Sequence, residues 1–154
     1  MPSTPGPAQT DALRIIIIED NVEANNLLRD WLNPHYPVEC FFDAESTLRL
    51  VRSGSGGERI VFLIDYNLPG DNGIILKQKL VSRFPRAKYI LVSGLFEEKL
   101  TAAARAAGFD ALLPKPFGMP MVTQKIEAML GLPPKETLTE MVKRQTGFLP
   151  RPRN

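Results

Sequence analysis

The 154-residue chain carries 19 basic and 17 acidic residues, and 44% of its residues are hydrophobic, which supports a folded domain and argues against wholesale disorder. One cysteine and one histidine exclude an internal disulfide and any metal site built from several such ligands. No apolar stretch approaches the roughly 20 residues that span a bilayer, and no secretory signal pattern opens the sequence, so we expect a cytoplasmic protein without membrane insertion.

The 14 prolines and the charges divide the chain into three parts. Seven prolines lie in the first ten or the last 22 residues, and residues 12–131 carry 14 basic and 14 acidic side chains. We therefore expect a folded domain over 12–131, a disordered N-terminal tail over 1–11, and a basic C-terminal tail over 132–154 that is partly helical or disordered. This tail has an excess of three basic residues, which is too small to argue for nucleic-acid binding.

The C-terminal tail leaves one alternative open. Leu138, Met141, Val142 and Gln145 share one helical face. The segment is either solvated or a docking segment for a partner or for this protein's own helical surface.

The first half of the domain alternates between strand and helix patterns. The predicted elements are a strand over 13–18, a helix over 22–32, a strand over 38–42, and a helix that Asp43 caps. Trp31 falls on the apolar face of the first helix, and we expect it in the core.

The second half repeats this alternation three times. The predicted elements are strands over 60–64, 89–92 and 110–113, and helices over 73–84, 97–107 and around 122–130. Gly108 is suited to end the fourth helix. Five strand–helix repeats with continuous apolar strands predict an α/β fold, a doubly wound five-stranded parallel sheet with helices on both faces.

Polar side chains follow four of the five predicted strands. Glu19 and Asp20 follow the first strand, Asp65 the third, Ser93 the fourth and Lys115 the fifth. Ligands bind at this edge of a parallel sheet, and three carboxylates gathered there stay ionised only beside a cation. Oxygen donors suit Mg²⁺, and a carboxylate beside Mg²⁺ can attack phosphorus to form an aspartyl phosphate. Lys115 and Ser93 could then neutralise the phosphoryl oxygens.

Four motifs follow the predicted strands in order: Ile17-Ile18-Glu19-Asp20-Asn21, Asp65-Tyr66-Asn67-Leu68-Pro69-Gly70-Asp71-Asn72-Gly73, Val92-Ser93-Gly94 and Lys115-Pro116-Phe117. Together they resemble the response regulator receiver domain of two-component signalling, of the chemotaxis-regulator type. The resemblance covers about residues 12–131. It implies a flavodoxin-like sheet of strand order 2-1-3-4-5.

The resemblance also implies a phospho-acceptor and a metal site. Asp65 would be the phospho-acceptor and a ligand of Mg²⁺. Asp20 would bind the ion directly, Glu19 would bind it through water, and Asn67 would offer its backbone carbonyl.

Further roles follow from the same resemblance. Lys115 would pair with the phosphoryl group, and Ser93 would hydrogen-bond to it when the switch closes. Pro69 and Gly73 would shape the turn after the acceptor, and the peptide bond before Pro116 would be cis.

The main hypothesis is a single-domain response regulator that a histidine kinase or histidine phosphotransfer protein phosphorylates on Asp65, which then alters binding to a downstream protein. It would catalyse its own phosphorylation and dephosphorylation rather than turn over an external substrate. Leu112 replaces an aromatic switch residue of the family, and Leu95 replaces a residue that is often polar. These two positions favour an alternative, an interaction module that acts independently of phosphorylation. A third reading is a phosphatase with an aspartyl nucleophile. Such an enzyme needs a general acid two residues after the nucleophile, and Asn67 at that position cannot serve as one.

Overall fold

The computed structural model describes residues 13–54 and 57–131. Within these ranges five strands alternate with five helices. In chain order they are β1 (Leu13–Ile18), α1 (Val22–Leu32), β2 (Val38–Phe41), α2 (Ala44–Leu50), β3 (Arg59–Asp65), α3 (Gly73–Leu80), β4 (Lys88–Ser93), α4 (Glu98–Ala106), β5 (Ala111–Pro114) and α5 (Met119–Leu130).

The strands form one parallel sheet of order β2-β1-β3-β4-β5, which confirms the predicted topology. β1 lies beside β3, with Ile18 opposite Ile64, and β3 lies beside β4, with Asp65 opposite Val92. All five strands point the same way, so the residues that follow them meet at one edge.

Each face of the sheet carries its own apolar layer, because successive side chains of a strand point to opposite faces. On one face, Ile16 and Phe62 belong to the cluster that includes buried residues of α2, α3 and α4. On the other face, Ile15 and Leu63 belong to the cluster that includes α1 and α5. The predicted helices on both faces are therefore present.

Asparagine and aspartate caps fix where three helices begin. Asn21 accepts from the Ala24 N–H, and Asp43, the predicted cap, accepts from the Ser46 N–H at 2.6 Å. Asn72 caps α3 through two backbone N–H groups. α3 ends at Leu80, before the predicted end at residue 84, and the chain continues as a turn in which the Arg83 and Phe84 N–H groups donate to the Leu80 carbonyl.

The prediction that Trp31 belongs to the core is wrong. Its side chain is 42% exposed, and its indole N–H donates to Thr123 Oγ1 of α5 at 2.7 Å. The buried positions of α1 are Asn25, Leu28 and Leu32. The buried stripe thus includes a polar residue, Asn25, whereas the apolar residues Leu27 and Trp31 face solvent.

Two sets of predictions concern residues beyond this fold. Both predicted tails, over 1–11 and 132–154, lie outside the described residues, as does the helical face from Leu138 to Gln145. Among the described residues, no helix has the length and apolar character needed to cross a membrane.

Candidate functional site

Three carboxylates meet at the carboxyl edge of the sheet. Glu19 and Asp20 follow β1, and Asp65 ends β3, the neighbouring strand. One oxygen from each of the three lies within 4.8 Å of the others. Glu19 and Asp65 are buried, whereas Asp20 is exposed. The sheet topology thus brings together residues that are 46 positions apart in sequence (Glu19 to Asp65).

Lys115 reaches this cluster from the far side of β4. Its backbone N–H donates to the Ser93 carbonyl at 2.8 Å, which holds the start of the loop after β5 against the end of β4. Its ammonium group donates to Glu19 Oε1 at 2.7 Å and to Asp65 Oδ2 at 2.9 Å. The peptide bond between Lys115 and Pro116 is cis.

The electrostatics of the cluster show an excess of negative charge. Burial, together with neighbouring Asp65, raises the pKa of Glu19 to about 7, although Lys115 opposes the shift. Burial acts to lower the pKa of Lys115, but its hydrogen bonds to Glu19 and Asp65 outweigh burial and raise it. Because the one Lys115 ammonium cannot neutralise three ionised carboxylates, the cluster favours added positive charge.

The donor atoms suit a hard divalent cation. Glu19, Asp20 and Asp65 offer carboxylate oxygens, which are the ligands that such cations prefer. The second oxygen of Asp65, Oδ1, accepts the Asn67 backbone N–H at 3.0 Å, which fixes the carboxylate plane. The site could therefore hold a metal ion beside Lys115.

The turn after Asp65 depends on one close approach. Pro69 is exposed in this turn, which ends at Gly73, the first residue of α3. A Cβ on Gly73 would lie 2.6 Å from the Asp65 carbonyl oxygen. Only glycine therefore allows α3 to start directly against the end of β3.

The predicted switch residues lie on the β4 and β5 side of the site. Ser93 is buried, and its hydroxyl both donates to the Leu95 carbonyl and accepts the Leu95 N–H, each at 3.3 Å. Leu112 is half-buried and packs on the sheet face that α2, α3 and α4 cover. Leu95 is 65% exposed. The Ser93 hydroxyl would have to turn from Leu95 to contact a group on Asp65.

Sequence reasoning missed two features beside the carboxylates. Asn25 of α1 is fully buried and donates to the backbone carbonyls of Glu19 and Phe41. A groove of about 600 Å³ opens beside Glu19, Asp65 and Lys115, and its walls are mainly apolar, with Leu27 and Phe117 among them. The sequence pattern that could have revealed Asn25 is its spacing: it lies three residues before Leu28 and seven before Leu32, on the same face of the helix.

Comparison with known proteins identifies the class to which this site belongs. The family described as the response regulator receiver domain matches residues 15–127, so the chain belongs to that family. It is therefore the receiver domain of a two-component response regulator.

A curated relative extends the comparison. The chain is 26% identical over 119 residues to the transcriptional regulatory protein TctD of Salmonella typhimurium, a match that covers 77% of this chain and 52% of the relative. The chain thus spans about half the length of the curated relatives it matches.

The structural likenesses show the fold. The BeF3-activated receiver domain of DrrB, a Thermotoga maritima protein, has a TM-score of 0.69 at 19% identity, covering 78% of this chain and 98% of that one. A CheY-like receiver domain protein from Methanospirillum hungatei has a TM-score of 0.67 at 24% identity, covering 79% and 95%.

Proposed function

We propose that this receiver accepts a phosphoryl group on Asp65 from a phosphohistidine of a histidine kinase or histidine phosphotransfer protein, and that the modification changes its binding to a downstream protein. The observation that carries the proposal is the buried Asp65 carboxylate held by Lys115 within a cluster of three acids. We propose that the protein is cytoplasmic and that the phosphoryl transfer occurs there.

The chain's own residues suit each part of the transfer. An Asp65 oxygen attacks phosphorus, an oxygen–phosphorus bond forms, and the phosphorus–nitrogen bond breaks with its electron pair going to the donor imidazole. The Lys115 ammonium already lies 2.9 Å from Asp65 and can follow the incoming phosphoryl oxygens. Ser93 would turn its hydroxyl from Leu95 toward the same oxygens. Loss of the group follows when water attacks phosphorus, the bond between Asp65 and phosphorus breaks, and inorganic phosphate leaves the restored carboxylate.

Mg²⁺ is the cofactor that we propose. Asp20 and Asp65 would bind it directly, Glu19 through water, and Asn67 through its backbone carbonyl. When bound, the ion supplies positive charge against the phosphoryl oxygens. The oxygen-only donor set and the excess negative charge of the cluster support this choice.

The apolar groove supports a protein as the phosphoryl donor. It borders Asp65, and Leu27 on its wall is 60% exposed. An exposed apolar surface beside a reactive carboxylate suits a docked side chain better than a freely diffusing phosphate ester.

The test is phosphorylation of the purified chain with acetyl phosphate and Mg²⁺, followed by intact-mass measurement. We expect a phosphorylated species that Asp65→Asn abolishes and that chelation of Mg²⁺ prevents. Asp71→Asn is the matched control, since Asp71 lies in the same turn but pairs with Lys79 at 2.6 Å. An unmodified wild type, or equal modification of Asp65→Asn, would contradict the proposal.

A second candidate function rests on Leu112 and Leu95. An aliphatic side chain packed at position 112 has no ring to turn inward, and an exposed apolar side chain at position 95 suits a protein contact. The chain would then act as an interaction module independent of phosphorylation. Partner binding that is equal in wild type and Asp65→Asn, with and without acetyl phosphate, would favour it.

A further inference from the structure

We infer that Asn25 is a positioning residue for the cation site: it holds the Glu19–Asp20 backbone in the place where both carboxylates face Asp65. The inference deepens the proposed function and rests on it, because it assumes that the three carboxylates bind a divalent cation. Asn25 itself lies behind the site and contacts the backbone rather than the cation ligands' carboxylates.

The geometry ties three elements together at one atom. The Asn25 Nδ2 group donates to the Glu19 carbonyl at 3.0 Å and to the Phe41 carbonyl at 2.9 Å. The Phe41 carbonyl also accepts the Glu19 N–H at 3.1 Å. The end of β1, the end of β2 and the second turn of α1 are thus joined at the residue where the acidic loop begins.

The chemistry of the two acceptors explains the residue type. Both are carbonyl oxygens, so the group facing them must carry two N–H bonds. Asparagine supplies both from one neutral nitrogen on a short side chain, whereas aspartate would present only acceptors. Among the described residues, Asn25 Oδ1 is one of two buried side-chain atoms without a hydrogen-bond partner. The side chain therefore keeps its two donor bonds although its acceptor is unsatisfied.

The loop after β1 needs an anchor such as Asn25 because its two carboxylates are close to a third one, that of Asp65. Glu19, Asp20 and Asp65 repel one another when they are ionised, and the repulsion tends to move the loop after β1 away from β3. Lys115 holds Glu19 and Asp65 through their carboxylates. Asn25 holds the loop by a hydrogen bond to the backbone carbonyl of Glu19, and it adds no charge that would compete with the cation.

The experiment is a Mg²⁺ titration of the full chain followed by the backbone amide signals of residues 19–21 in NMR spectra. The variants are Asn25→Asp, which keeps the size but loses both donors, and Asn25→Leu, which is apolar. We expect each to bind Mg²⁺ at least tenfold more weakly than wild type at a temperature where circular dichroism shows it folded. Asn26→Asp is the matched control: it places the same new charge on the adjacent, half-buried residue of α1, and we expect its affinity within threefold of wild type.

The outcomes separate the inference from the proposed function. A wild type that does not bind Mg²⁺ overturns the proposed function and the inference with it. A wild type that binds, together with Asn25 variants of equal affinity, overturns the inference alone. A merely structural role would lower the melting temperature and leave the Mg²⁺ affinity of the folded fraction unchanged.

A measurement on wild type covers the case in which the variants do not fold. The Asn25 side-chain amide signals should exchange slowly with solvent and should shift as Mg²⁺ saturates the site, because Asn25 donates to the carbonyl of Glu19. The Asn26 side-chain amide should not shift. Asn25 signals that stay fixed at saturation would overturn the inference.

Discussion

Lys115 offsets part of the negative charge of the site. Its two short bonds go to the carboxylates of Glu19 and Asp65. A cation at these carboxylates would therefore compete with the ammonium group for the same oxygens. The same ammonium group would have to move only a short distance to pair with a phosphoryl group on Asp65.

This competition predicts opposite effects of Lys115→Met on two measurements. Without the ammonium charge, the three carboxylates should bind Mg²⁺ more tightly, by roughly threefold to tenfold in calorimetric titrations. The rate of phosphorylation by acetyl phosphate should fall by about 100-fold, because the charge that stabilises the transferring group is lost.

Lys99→Met provides the control for that pair of measurements, since it removes an equal charge from an exposed position on α4. It should leave both the affinity and the rate close to wild type. Weaker Mg²⁺ binding by Lys115→Met would show that the lysine supports the cation site rather than competing with it.

The sequence predicts residues of this site unevenly. Asp65 and Lys115 are identifiable because each follows an apolar run, and strand ends of a parallel sheet share one edge. The bonds from Lys115 to both acids depend on side-chain reach, which spacing does not encode. Asn25 was missed because an asparagine in an amphipathic helix is ordinarily expected on its solvent face, and burial of its side chain depends on two carbonyls from other elements.

At the scale of elements, the junction of β3 and α3 depends on Gly73, which has no side chain. The helix begins so close to the strand that a Cβ at Gly73 would also lie 3.0 Å from side-chain atoms of Ile64 and Leu91. Neither the backbone of Asp65 nor these buried side chains can move freely, so the approach is fixed.

Gly73→Ala should therefore destabilise the fold by about 1–3 kcal/mol in urea denaturation, since the added methyl group overpacks a rigid junction. The Asp65 carbonyl should be displaced as well, which should lower the phosphorylation rate of the folded protein. Gly94→Ala is the matched control, because a Cβ there meets no atom within 4 Å. Equal stability of the two variants would refute the packing argument.

Among the elements, α1 shows where periodicity misleads. Its existence and ends at Val22 and Leu32 agree with the prediction, because apolar spacing and the Asn33-Pro34 stop are local signals. The side that faces the sheet includes Asn25, whose side chain donates to the Glu19 and Phe41 carbonyls. Leu27 is exposed, and so is Trp31, which the apolar pattern predicted to lie in the core.

The whole molecule carries a second charge cluster at the opposite edge of the sheet. Arg14, near the start of β1, is 3% exposed and forms a bidentate pair with Glu39 of β2 at 2.6 and 3.0 Å. Burial acts to raise the pKa of Glu39, but the bonds to Arg14 outweigh burial and lower it below its ordinary value of 4.5. The buried arginine thus depends on an ionised partner.

This pair predicts acid sensitivity of the fold. A carboxylate with a lowered pKa stabilises the native state above its ordinary pKa of 4.5, and that contribution is lost as the pH falls below 4.5 through the lower native pKa. Glu39→Gln should reduce stability at pH 7 by about 1–3 kcal/mol and should flatten the pH dependence of the urea midpoint between pH 5 and 3. Glu45→Gln, at an exposed position, should change neither. An undiminished acid dependence in Glu39→Gln would assign it to other groups.

The hydrogen bond between Trp31 and Thr123 has a spectroscopic consequence. Trp31 is the only tryptophan in the chain, and it lies between the exposed faces of α1 and α5 rather than beside Asp65. Its fluorescence emission therefore reports on the packing of these two helices. An emission change on phosphorylation would mean that the structural change at the carboxyl edge of the sheet also alters the contact between α1 and α5. Unchanged emission from a phosphorylated sample would mean that the contact between α1 and α5 at Trp31 is unchanged.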